Sequence, residues 1–175
     1  MSIRRASLGP LVVLALLLTA ACGGDDDADP PTTDESQAEG PCALLPIADV
    51  SDLFGRDAEV APPAAEGAAT TSCLWEAVDE DGEFPTRHQL QLSVYENGGE
   101  LDPRSYGEGS EPIEDLGDEA FVVREGTLGT TAGYRDGDRT VILTYAIVGG
   151  EDAPRPADSA DQVVDLLRAA AASSD

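Results

Sequence analysis

The chain of 175 residues carries 10 basic side chains, all arginine, against 35 acidic ones, for a formal charge of −25. An excess of that size repels phosphate backbones and anionic head groups, which are bound by clustered Lys and Arg, so nucleic acid is excluded as a partner. With no lysine anywhere, a Walker A loop, a Ser-x-x-Lys nucleophile and Schiff-base chemistry are excluded as well.

Residues 1–21 have the three parts of an export signal: Arg4 and Arg5, an apolar centre over 11–18, and small residues at the end. The stretch is too short, and too closely followed by acid, to span a membrane comfortably. Ala20 and Ala21 before Cys22 resemble the lipobox at which bacterial prolipoproteins are diacylated on sulfur and cleaved. Thr19 replaces the usual leucine, and Leu18 partly makes up for it. Ordinary secretory cleavage is the competing reading and would release a soluble protein. With lipid on Cys22, each buried CH₂ adds about 0.8 kcal/mol, so two or three chains hold the protein on the outer face of the cytoplasmic membrane. The membrane is then a partner through the lipid alone.

Residues 22–41 are predicted to be a lipidated acidic tether. From 23 onward they contain no aromatic or large aliphatic side chain and cannot offset their ordering entropy. As a flexible coil they reach about 25 Å. Asp25, Asp27 and Asp29 alternate like calcium ligands but lack the loop glycine and closing glutamate of an EF-hand, so no metal site is assigned.

The remainder, 42–172, is long enough for one domain with one core, followed by a disordered tail at 173–175. If Cys22 carries lipid, the other two cysteines, Cys42 and Cys73, form the single pair that an oxidising compartment turns into a disulfide. A redox or zinc site fits poorly, because the spacing is not Cys-x-x-Cys and His88 is the sole histidine.

Ile47, Val50, Leu53 and Phe54 recur at helical spacing, and with Pro46 at the start and Gly55 as the stop they predict a short helix over 46–54. TTSCLWEAV reads as a strand with Cys73 and Trp75 on one face, the indole beside the disulfide. HQLQLSVY alternates Leu90, Leu92 and Val94 against Gln89, Gln91 and Ser93, the pattern of a half-buried strand. EAFVVRE and LGTTAGYR predict two more. A turn at Asp136-Gly137 leads into 140–148, which is apolar on both faces and therefore central. Ser159 and Gln162 predict a capping box for a last helix striped by Val163, Val164, Leu166, Leu167 and Ala170. The fold expected is α+β: a single, mostly antiparallel sheet of about five strands, with the short N-terminal helix and the C-terminal helix packed on one face.

PCALLPIADVSDLFG, then SCLWEA, then LGDEAFVV and a hairpin ending in a helix together resemble surface lipoproteins of high-GC Gram-positive (actinobacterial) type. In that domain-of-unknown-function class a Cys-x-Leu-Leu is answered by a Cys-x-Trp. The resemblance covers about 41–172 and rests on short structural motifs. It implies the Cys42–Cys73 bond and a surface location, and it implies no activity.

Catalytic groups are sparse. His88 stands at the start of a strand beside Arg87, no Gly-x-Ser-x-Gly elbow occurs, and among 35 acids some close pairs arise inevitably. No catalytic residue and no cofactor is assigned. The function expected is a non-catalytic binding or envelope accessory module for a small ligand or an envelope protein. The alternatives are a small extracytoplasmic hydrolase using acidic residues, or a purely structural surface protein. The long Gly-, Pro- and charge-rich segment 96–119 is the best place for function, with Arg104 and Tyr106 as contact candidates. Tyr95, Tyr134 and Tyr145 are candidates for the walls of a ligand concavity.

Overall fold

The computed structural model describes residues 40–62, 71–80, 84–96, 101–149 and 153–174, all within the second of two compact units, Ser36–Asp175. The expected signal peptide, the lipidation site Cys22 and the tether up to residue 39 lie outside the described residues. Gly40 and Pro41, expected to end the tether, open a 3-10 turn, Gly40–Leu44.

Helix α1, Ile47–Phe54, forms where the apolar spacing predicts. Gly55 stops it at a φ of 67°, a left-handed conformation that costs glycine nothing. Val50, Leu53 and Phe54 are buried, whereas Ile47, in the exposed first turn, is not. The five predicted strands are all present as β2 (Thr71–Asp79), β3 (Thr86–Tyr95), β5 (Glu119–Gly126), β6 (Gly129–Asp136) and β7 (Arg139–Val148). Two more, β1 (Glu59–Ala61) and β4 (Ser110–Pro112), bring the sheet to seven strands rather than about five. Each has three residues, too few for an alternating pattern, and each pairs on one side only. Their shortness, and Pro112 within β4, leave little edge for another chain to extend.

The strand order is β1-β2-β3-β7-β6-β5-β4, and every neighbouring pair is antiparallel. The central position belongs to β7, as its two apolar faces require. Because β4 lies four strand spacings from β3, the chain leaving Tyr95 must cross about 19 Å of sheet before it pairs again. That crossing, with the strand β4 inside the segment, takes up part of the length of 96–119.

One sheet face holds the main core. Cys73 and Trp75 of β2, Leu90, Leu92 and Val94 of β3, and Val141, Leu143 and Tyr145 of β7 meet Val50, Leu53 and Phe54 of α1 there. The same core takes in Val163, Leu166, Leu167 and Ala170 of α2, Ala160–Ala172, which contacts α1 and lies over β5, β6 and β7. Burying each valine, leucine or phenylalanine side chain among these contributes about 1.5 to 3 kcal/mol. Cys42 and Cys73 are bonded, with Cα atoms 5.2 Å apart, tying the 3-10 turn to β2.

The predicted capping box does not form. The chain enters α2 through another 3-10 turn, Pro156–Ser159, so Ser159 has a nearly helical backbone (ψ 12°) and its hydroxyl makes no cap bond. At the other end, Ser173 and Ser174, expected in the tail, close the helix: their hydroxyls donate to the carbonyls of Ala169 and Ala170 at 2.9 and 2.7 Å.

Candidate functional site

On the sheet face away from the main core, strand alternation sets out three rows across β2, β3 and β7. Leu74, Gln91 and Thr144 form one, Glu76, Gln89 and Ala146 the next, and Val78, Arg87 and Val148 the last. Beyond the first row, the 96–119 crossover covers the sheet. Leu101 and Tyr106 lie on Phe121, Val123 and Ile142 as a second, smaller core, with Tyr95 at its margin, and the rings of Tyr106 and Phe121 stack at 5.7 Å. Gly133 of β6 makes this close approach feasible, since a Cβ there would lie 2.6 Å from Ile142 Cδ1 and 3.3 Å from Leu101 Cδ1.

The crossover stops short of the other rows, and a groove of about 580 Å³ lies there. Its floor is Leu74, Gln89, Gln91, Thr144, Ala146 and Val148, and its wall is the β5–β6 turn, Thr127 to Gly129, with Pro156. The Thr127 amide donates to the Tyr106 carbonyl at 3.0 Å, so the wall is fastened to the crossover. A side chain on Gly129, at φ +121°, would collide with the Tyr145 carbonyl, so this turn requires glycine. Leu128 at the rim is 69% exposed and Val148 61%.

Among the described residues no charged side chain lines the groove, although the chain carries −25 overall. Glu76 beside it accepts a hydrogen bond from the Gln89 carboxamide nitrogen, which fixes the orientation of that amide. Gln91 donates weakly to the Ser93 hydroxyl at 3.4 Å, and the Thr144 and Thr131 hydroxyls are 3.3 Å apart. The groove therefore offers aliphatic area punctuated by carboxamides and a hydroxyl, a surface suited to holding a small amphipathic molecule.

The five contact candidates are not gathered at this groove. Tyr134 and Tyr145 point into the main core, at 4% and 1% exposure, and form no ligand wall. Tyr95 and Tyr106 serve the second core; burial, and then the neighbouring Tyr95, push the Tyr106 phenol up. Arg104 sits in the 3-10 turn Pro103–Ser105, where Asp102 accepts from its backbone amide at 3.0 Å. Residues 97–100 of the segment lie outside the described residues.

His88 is also a core residue, 6% exposed. Its Nδ1 is 2.8 Å from the Tyr145 hydroxyl, and Phe54 packs against both rings. Burial, followed by the nearby Arg56 cation, pulls the His88 pKa below its ordinary value, with Asp79 opposing. Burial pushes Tyr145 up to about 12. Arg56 and Asp79 form an ion pair over this cluster.

Among the described residues there is no grouping of three or more His, Cys, Asp or Glu placed to hold a metal ion, and no helix long and apolar enough to cross a membrane. No family model matches the chain, and no curated protein or solved structure does either.

Proposed function

We propose that this is a lipid-anchored extracytoplasmic binding module, held on the outer face of the cytoplasmic membrane through Cys22, which takes a small amphipathic molecule in the groove over β2, β3 and β7. The observation that carries the reading is the uneven cover of the sheet. Helices close one face and the crossover closes part of the other, yet a groove whose described lining carries no charged side chain stays open over β2, β3 and β7 in a strongly acidic chain. Such a surface left bare costs solvation unless something occupies it. His88, the only imidazole in the chain, is committed to the core, which favours binding over hydrolysis.

Native mass spectrometry of the full-length protein taken from its own envelope tests the reading. The expected spectrum contains a diacylated chain starting at Cys22 and a second, non-covalent small-molecule mass. An Ala146→Phe variant, which fills the groove without entering the core, loses that second mass. A mature chain starting at an unmodified Cys22 refutes the anchor. A bound mass that survives Ala146→Phe refutes the groove.

A further inference from the structure

A charged residue, Arg87, stands just beyond the residues that line the groove. Register pairs Arg87 with Val78 on one side and Val148 on the other, on the open face and one step beyond Gln89. Arg87 is exposed, and its two flanking valines are exposed as well, at 44% and 61%. Arg56, Arg124, Arg135, Arg155 and Arg168 each pair with one or more acids, whereas Arg87, like Arg104 and Arg139, makes no ion pair with any described residue. Of these three, Arg87 is the one set beside the groove residues Gln89 and Val148, between two exposed valines. Glu76, on the same face, is engaged by the Gln89 amide.

From this arrangement, and resting on the groove being a ligand site, we propose that Arg87 anchors a carboxylate and that the ligand is a monoanionic amphiphile of fatty-acid type. The carboxylate pairs with the guanidinium fork, which matches it geometrically. The aliphatic chain runs from Val148 over Ala146 toward Leu74 and Leu128. A single guanidinium in a strongly negative protein suits one negative charge. A dianionic phosphate would meet the same long-range repulsion twice with no second cation to offset it.

Three probes of equal length test this: octanoate, octanamide and octylammonium, titrated below micelle formation, with affinities and binding sites read from the amide resonances of Gln89, Gln91 and Thr144. Octanoate is expected to bind the wild-type protein at least tenfold more tightly than either of the others. Arg87→Gln, a surface change that leaves the fold intact, abolishes that preference and leaves octanamide affinity unchanged. Ala146→Phe weakens all three. Equal binding of acid and amide, a preference for the ammonium, or a preference that survives Arg87→Gln overturns the carboxylate anchor while the groove stands as a site. If none of the three moves those resonances, both the anchor and the site are refuted.

Discussion

Replacing Cys42 and Cys73 by alanine tests how much of the fold depends on one bond. The two are 31 positions apart, and in the chain-entropy model closing a loop of that length contributes about 3.7 kcal/mol at 25 °C. A domain of this size is stable by only about 5 to 15 kcal/mol, so the loss should lower the melting temperature by about 10 to 15 °C. Trp75 is the only tryptophan and is 1% exposed in the core that holds Cys73, which makes its fluorescence a built-in reporter for urea unfolding. Because the cross-link acts on the unfolded chain, the slope with urea should rise as the midpoint falls. Each single variant should lose nearly as much as the double, since either change breaks the same bond. A loss below about 1 kcal/mol with an unchanged slope would refute the reasoning, as would single effects that add.

Three further outcomes are expected. His88 has a folded-state pKa below its unfolded value of 6.5, so the unfolded chain binds the proton first: stability is full above about pH 6.5 and falls as pH drops through the folded value. Urea midpoints at pH 7.5 and 5.5 should therefore separate in the wild type and converge in His88→Gln, and equal separations would count against a buried neutral imidazole. Gly133→Ala puts a methyl group 2.6 Å from Ile142 Cδ1 and 3.1 Å from Phe121 and should cost about 1 to 3 kcal/mol in the same assay. Tyr106→Ala should destabilise by about 2 kcal/mol and Arg104→Ala by under about 0.5, because one packs on Phe121 and the other faces solvent; the reverse order would mean that the crossover does not hold the second core.

The elements that the sequence made legible are those whose pattern is local. Gly55 stops α1, Leu90, Leu92 and Val94 alternate in β3, and the doubly apolar β7 is central. What escaped depends on distant partners. Glu59–Ala61 and Ser110–Pro112 become strands only because β2 and β5 offer edges to them. Tyr145 lies in a strand apolar on both sides, so periodicity could not say which face it takes. Tyr134 was more readable, since Arg135 must face outward and thereby turns its neighbour in. The groove was invisible because Gln89 and Gln91 read as an ordinary solvated face until register set Thr144, Ala146 and Val148 beside them. The 96–119 segment looked like a functional loop because its length was visible, and the strand β4 and the second core that it contributes to were not.

The same crossover divides the chain into two runs of nearest-neighbour strands, β1-β2-β3 and β4-β5-β6-β7, each with its own cover. The first has the disulfide-linked turn and the second has α2, while Phe54 of α1 packs across the seam between them, on His88 and Tyr145. Within each run, pairing closes short loops. The β3–β7 seam, by contrast, aligns Tyr95 with Thr140 and Arg87 with Val148, residues far apart along the chain. Loop-closure entropy places that seam late in folding, so each half should be able to pair its own strands before the two zip together under α1. The folding rate is then set at one central seam, and mutations along β3 or β7 should slow folding more than equally destabilising ones at either edge.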